Sequence, residues 1–305
     1  MTKDKHTADF NSVVAQLQQA PHRKRVALVC PADTHTQYVI EQALADATAD
    51  FLLVSGGQTL PAIEAIAHNH PDRITCIHAD TPDEAARRAV TAVREGEADV
   101  LMKGTINTDN LLRAVLNKEW GLLQPGQVMS HVAVASIPSR DGMLVFSDAA
   151  VIPQPDIDQL DAIVRYTVAT ARRLGAACPK VALTHCTEKV SERFPVTLAY
   201  EELKRRAAAG AYGPVCLGGP MDVKTALDAE SGSLKGITSP VVGQADVLVF
   251  PDIEAGNTFY KALSLFAHAT TAGMLCGTTA PAVVASRADS GESKYYSLVM
   301  ACVMS

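Results

Sequence analysis

Along the chain, short runs of β-branched and aliphatic residues alternate with longer stretches in which apolar positions recur every three or four residues. The runs RVALVC (25–30), DFLLVS (50–55), ITCIHA (74–79) and ADVLMK (98–103) predict strands, with helical stretches between them. Residues 82–95, PDEAARRAVTAVRE, open with Pro82 and two acids, as a helix start does, and carry Ala85, Ala89, Val90 and Val93 at helical spacing. Each connection is long enough for a right-handed parallel crossover. The pattern therefore predicts an α/β protein, a largely parallel sheet wound with helices on its faces.

Past residue 125 the texture changes. Pro125-Gly126 precedes VMSHVAVASI (128–137), and the turn-like PSRDG at 138–142 leads into MLVFSDAAV (143–151). Two extended runs so closely joined predict a hairpin. The alternation then resumes with a helix over 157–174, a strand over 180–185, a helix near 195–209 and VCLGGP (215–220). A strand over 246–250, a helix over 255–269, GMLCG (273–277), AVVAS (282–286) and a last helix from about 291 follow. A domain boundary is expected near residues 125–140.

Composition narrows the classes. A length of 305 residues is expected to hold about two domains at roughly 150 residues each. With 48% apolar and 20% charged residues the chain is globular rather than disordered. No window approaches the roughly 18 consecutive apolar residues of a membrane helix. The start, MTKDKHTADFNS, has no apolar leader, so a cytoplasmic location and no membrane partner are expected. Twenty-seven basic against 33 acidic residues leave a net charge of −6, with the basic residues dispersed, which argues against nucleic acid. Seven cysteines (Cys30, Cys76, Cys178, Cys186, Cys216, Cys276, Cys302) are scattered without a C-x-x-C pair. Zinc and disulfide frameworks are therefore not expected, and most of the cysteines read as small buried hydrophobes.

Four segments carry candidate chemistry. In ADVLMKGTINTDNLLRAVL (98–116) a strand ends at Lys103-Gly104 and a Thr/Asn-rich turn leads into a helix. Ligands of open α/β sheets collect at such carboxyl ends. Gly104 permits close backbone approach, Thr105, Asn107 and Thr108 supply hydroxyl, amide and capping groups, and the helix start offers free N–H groups to an anion. Lys103 and Arg113 add positive charge; the alternative is a capped turn with solvated basic residues. Neither a Walker loop nor G-x-G-x-x-G occurs. In VVASRADSGES (283–293) a strand end delivers Ser286 and Arg287, a hydroxyl and a forked cation suited to phosphate or carboxylate, unless Arg287 merely pairs with Asp289. In ADVLVFPDIEAGNTFYKAL (245–263), Asp252, Glu254, Asn257 and Lys261 surround a helix start, where acids often serve only the helix dipole. Finally, SHVAV and SDAAV bring His131 and Asp148 onto neighbouring extended runs, where a single histidine is commonly structural.

Taken in order, ADVLMKG…T…LLRAVL, SHVAV…SDAAV, PKVALT, GGP, K-G…SPVVGQADVLVFPDIEAGN…YK and SRADS resemble the phosphate acetyltransferase/phosphate butyryltransferase family from about residue 24 to the end. The short length, the MKG segment and SRADS are closer to the butyryltransferase branch. The resemblance implies a two-domain α/β/α architecture like that of isocitrate and isopropylmalate dehydrogenases, with the active site in the interdomain cleft. Residues 1–135 plus about 280–305 would form the first domain and 136–279 the second. It implies short acyl transfer between coenzyme A and inorganic phosphate through an acyl phosphate, with an acetyl-specific enzyme as the alternative. No metal and no cofactor is implied, coenzyme A being a substrate, and a homodimer or higher homo-oligomer is expected. Ser286 and Arg287 match the family's pair at the acyl phosphate, and Arg113 an arginine assigned to phosphate or coenzyme A. Lys103, Gly104, Thr105, Asn107, Thr108, His131, Asn257 and Lys261 are the further substrate-binding candidates. Two departures stand out: acetyltransferases carry a catalytic-base Asp seven positions after the Ser, where this chain has Ser293, and relatives usually have Asp where it has Lys224. A decarboxylating dehydrogenase on the related fold would need converging aspartates around a divalent cation. Asp246 and Asp252 alone are too few for that. A metabolite-binding protein that has lost turnover is the rival outside catalysis.

Overall fold

The computed structural model describes residues 9–286 and 289–305. Arg287, one of the two residues expected at the acyl phosphate, lies outside the described residues. The chain runs α1 (Phe10–Gln18), β1 (Lys24–Val29), α2 (Thr34–Ala45), β2 (Ala49–Gly56), α3 (Pro61–Asn69) and β3 (Ile74–Ala79). It continues with α4 (Pro82–Arg94), β4 (Val100–Lys103) and α5 (Thr108–Val115), then β5 (Ser130–Ser136) and β6 (Leu144–Ser147). After α6 (Ile157–Arg173) come β7 (Lys180–Thr184), α7 (Pro195–Ala208), β8 (Cys216–Met221), α8 (Val223–Leu227) and α9 (Ala229–Leu234). The last elements are β9 (Val247–Val249), α10 (Ile253–Phe266), β10 (Thr270–Cys276), β11 (Ala282–Val283) and α11 (Gly291–Met304).

The chain divides into two compact units, one formed by 10–129 with 271–305 and the other by 130–270. In the first, the strand order is β3-β2-β1-β4-β11-β10. It is parallel from β3 to β11, and β10 runs antiparallel to β11. The chain steps outward from β1 through β2 to β3, then returns to lay β4 on the other side of β1, pairing Val26 with Val100 and Val29 with Lys103. Such a reversal leaves a crevice at the carboxyl ends of β1 and β4. Val26–Val29 and Val100–Met102 are buried on both faces, which is why these strands read as continuous apolar runs rather than as an alternation. Helix α4 starts where expected because Thr81 Oγ1 accepts from Glu84 N (3.2 Å) and Pro82 occupies the first turn. Phe10 of α1 stacks on Tyr296 of α11, with ring centroids 4.4 Å apart.

In the second unit the order is β5-β6-β9-β7-β8, antiparallel between β5 and β6 and parallel thereafter. Its core contains Ala133, Phe146, Ala182, Met221, Leu248, Phe250 and Leu263. Phe146 meets Phe259 edge-on, with centroids 5.3 Å apart. Helix α6 begins with a reciprocal cap: Asp156 Oδ1 accepts from Gln159 N (2.9 Å), and Gln159 Oε1 accepts from Asp156 N (2.9 Å).

Three local expectations fail. The run 143–151 stays in strand only to Ser147, because the Asp148 carboxylate draws in the amides of Ala150 and Val151 and turns the chain. Helices α8 and α9 follow a strand without an apolar periodicity long enough to announce them. The cysteines are not mostly buried: Cys30 and Cys302 are, but Cys76, Cys178 and Cys186 are exposed, and Cys216 and Cys276 lie between. Cys76 sits on β3, the outermost strand of its sheet, and Cys178 and Cys186 sit in connections, so an apolar neighbourhood in sequence gives them no cover.

Candidate functional site

The carboxyl end of β4 is strapped to that of β1. Gly104 N donates to Val29 O (2.8 Å), Thr105 N to Cys30 O (2.9 Å), and Thr105 Oγ1 to the same carbonyl (3.0 Å). A Cβ on Gly104 would collide with the carbonyls of Val29 and Cys30, so glycine is required there for closeness. Asn107, in extended backbone, then opens α5, whose first-turn N–H groups have no partners within the helix. Lys103 is buried and reaches Gly104 O with its Nζ at 3.3 Å.

Lys103, Asn107, Thr108, Asp109, Asn110 and Ser286 line one hollow of about 440 Å³. Gly104 and Thr105, bonded to the end of β1, are not among its lining residues. Arg113 is exposed on the last turn of α5 and is not part of this lining. Ser286, past the end of β11, donates its backbone N–H to Asp289 Oδ2 (2.8 Å), and Asp289 N donates back to Ser286 O (3.2 Å). Asp289 thus closes the loop through its carboxylate. Ser293 lies in the first turn of α11 with its N–H on Ser290 Oγ (3.1 Å), and its neighbour Lys294 is buried with Nζ 3.3 Å from His35 Nδ1.

The remaining candidates gather in the other unit. Asp148, 2% exposed, accepts from Ser130 Oγ (2.8 Å), His131 N (3.1 Å), Ala150 N (2.7 Å) and Val151 N (2.8 Å). A Cβ on Gly256 would overlap Asp148 O, so α10 lies directly against this loop. Asn257 Nδ2 donates to Ala149 O (3.0 Å), the His131 ring stands edge-on to Tyr260 (6.5 Å), and Lys261 Nζ lies 4.8 Å above the Tyr260 ring. His131, Asn257 and Lys261 therefore cluster around Tyr260 and the 148–151 turn. Asp252 caps α10 by accepting from Ala255 N (2.8 Å), and Glu254 lies in its first turn. Lys224 is exposed on α8, whose N-cap Asp222 is held by Lys235.

Sequence reasoning missed Asp109 and Asn110 as lining residues and Asn110 Nδ2 as a donor to Asp83 Oδ1 (2.6 Å). It also missed buried Lys294, although an ionisable residue in front of YYSLVMA was a readable signal. Among the described residues no group of three or more His, Cys, Asp or Glu side chains could hold a metal ion, and no helix is long and apolar enough to cross a membrane.

Residues 64–302 match the family model for phosphate acetyl/butaryl transferase. The phosphate butyryltransferase of Clostridium acetobutylicum is 33% identical over 295 residues, covering 97% of this chain and 97% of that protein. The phosphate acetyltransferase of Thermotoga maritima is 34% identical over 283 residues, covering 92% of this chain and 95% of the relative. Among solved structures, a branched-chain phosphotransacylase from Enterococcus faecalis superimposes with a TM-score of 0.80 at 29% identity, covering 92% of this chain and 98% of its own.

Proposed function

The chain belongs to the phosphate acetyl/butaryl transferase family, and from that membership we propose that it is an acyltransferase moving a short, butyryl-like acyl group between coenzyme A and inorganic phosphate. The observation that carries the reading is the hollow where Lys103, the start of α5 and Ser286 meet. It combines a buried cation, a helix N-terminus and a hydroxyl at strand carboxyl ends, the chemistry an acyl phosphate demands.

Ser286 and Arg287 hold the acyl phosphate, the 103–108 turn holds its phosphoryl oxygens, and Arg113 contributes to phosphate or coenzyme A. His131, Asn257 and Lys261 are the further candidates for contacts to substrate. The thiol sulfur attacks the acyl carbonyl, and the C–O bond to phosphate breaks as phosphate leaves with the electron pair. The lack of a carboxylate at Ser293 does not disable this chemistry. A thiol of pKa about 8.5 is already a few per cent thiolate at pH 7, so full deprotonation is worth about 2 kcal/mol. Holding sulfur and carbonyl in line supplies roughly 7–11 kcal/mol, so positioning outweighs a general base. An architecture like that of isocitrate and isopropylmalate dehydrogenases, a homo-oligomeric state and a cytoplasmic location belong to the same proposal.

The test is phosphate-dependent thiol release from a panel of acyl-CoA thioesters. Fastest turnover with butyryl or branched four-to-five-carbon chains supports the proposal, and fastest turnover with acetyl corrects the chain length. Binding without turnover on any of them leaves a metabolite-binding protein.

A further inference from the structure

We propose that Cys178 and Cys216 form a reversible dithiol–disulfide site that clamps the amino end of the edge strand β8 to the segment entering β7. Cys216 is the first residue of β8 and pairs in register with Lys180, and Cys178 stands two residues ahead of that partner. The strand ladder already extends to them, with Cys216 N donating to Pro179 O at 2.9 Å. The two Sγ atoms are in contact at 3.9 Å. A disulfide needs a bond of about 2.05 Å, so the two sulfurs have to close by roughly 1.9 Å from their present contact.

The surroundings assign the two thiols different parts. Cys178 is exposed and open to a small-molecule oxidant. Cys216 is half-buried, and burial, then the hydrogen bond with Cys178, pushes its thiol above the ordinary range. The first attack therefore falls to Cys178. Its thiolate attacks a low-molecular-weight disulfide RSSR, forming Cys178–S–S–R and releasing one thiolate RS⁻. The Cys216 thiol then loses its proton to water and attacks Cys178 Sγ, forming the intramolecular bond and releasing the second RS⁻. Two protein thiols are oxidised, one small disulfide is reduced to two thiols, and the protons balance.

A cross-link here has a structural consequence. β8 is the outermost strand of its sheet and its first two positions are only half-buried, so its amino end has little apolar cover. The pair sits at the amino ends of β7 and β8. The 148–151 turn follows the carboxyl end of β6, which β9 connects in parallel to β7, so the clamp lies at the opposite ends of these strands from that turn.

The experiment uses the full chain carrying Cys76→Ser and Cys186→Ser, which removes the other exposed thiols. It is treated with glutathione disulfide and read by intact mass, tryptic mapping and thermal melting. The expected result is a loss of two hydrogens with no glutathione retained, and a linked pair of peptides spanning 174–180 and 207–224. The melting midpoint should rise by several degrees, since closing the intervening loop restrains the unfolded chain, and dithiothreitol should reverse both changes. Adding Cys216→Ser should leave one glutathione on Cys178 and abolish the rise. Persistent glutathione on the unsubstituted pair, or absence of the linked peptides, would overturn the site. A cross-link with an unchanged midpoint would overturn the clamp.

Discussion

Gly104→Ala tests whether the turn after β4 must lie as close to β1 as it does. The added Cβ would stand 2.5 Å from Val29 O and 2.8 Å from the Cys30 carbonyl carbon, and nearer still to Cys30 O. Non-bonded contacts of this kind are comfortable only at about 3.5 Å, so the turn has to retreat by roughly 1 Å. Retreat stretches three hydrogen bonds, from Gly104 N, Thr105 N and Thr105 Oγ1 to the end of β1. At about 0.5–1.5 kcal/mol each, their loss destabilises the protein by up to roughly 4 kcal/mol. The same displacement moves Lys103 and the start of α5 relative to Ser286, and a misplacement of about 1 Å costs on the order of 100-fold in turnover. Urea unfolding measures the first effect, and kcat/KM for phosphorolysis of butyryl-CoA the second. Normal stability would refute the strapping of the turn. A destabilised variant with undiminished kcat/KM would refute its part in binding the substrate.

Four shorter predictions follow. Arg287→Gln should lower kcat by about 100-fold or more, as loss of a donor to a developing oxyanion does; near-normal turnover would remove the role given to it. Arg113→Ala should raise KM for phosphate or for coenzyme A with little change in kcat, and unchanged KM for both would contradict the assignment. Asp148→Ala strands three backbone N–H groups and the Ser130 hydroxyl. It should destabilise the protein by about 3 kcal/mol or more in urea titration, given about 1.5–3 kcal/mol per hydrogen bond to a charged group. Burial tends to raise the Asp161 carboxyl, but hydrogen bonds from Tyr212, Arg165 and Arg206 outweigh it and hold the group below the usual carboxylate range. A depressed folded-state pKa contributes stability above the unfolded value of about 3.9 and loses it as pH falls through the folded value. The stability gap between wild type and Asp161→Asn should therefore be full at pH 6 and narrow steadily below about pH 4; a gap independent of pH would contradict the pairing.

Much of the strand and helix pattern was legible because buried parallel strands such as Val26–Val29 and Val100–Met102 must be continuously apolar, and a helix start such as Pro82 with the two acids after it is a local signal. The turn at 103–108 was legible for the same reason, since a glycine followed by capping residues at a strand end is a local signal.

What only the tertiary structure decided was which distant residues meet. Ser286 comes to the hollow of Lys103 and Asn107 because β11 pairs with β4 from 181 positions further along the chain, an adjacency that no periodicity encodes. Asp148 reaches Ser130 Oγ and His131 N, and Cys178 and Cys216 come into contact, for the same reason. Local propensity depends on neighbours within a turn or two, whereas these contacts depend on sheet order and register, which are set by burial of the whole apolar surface at once.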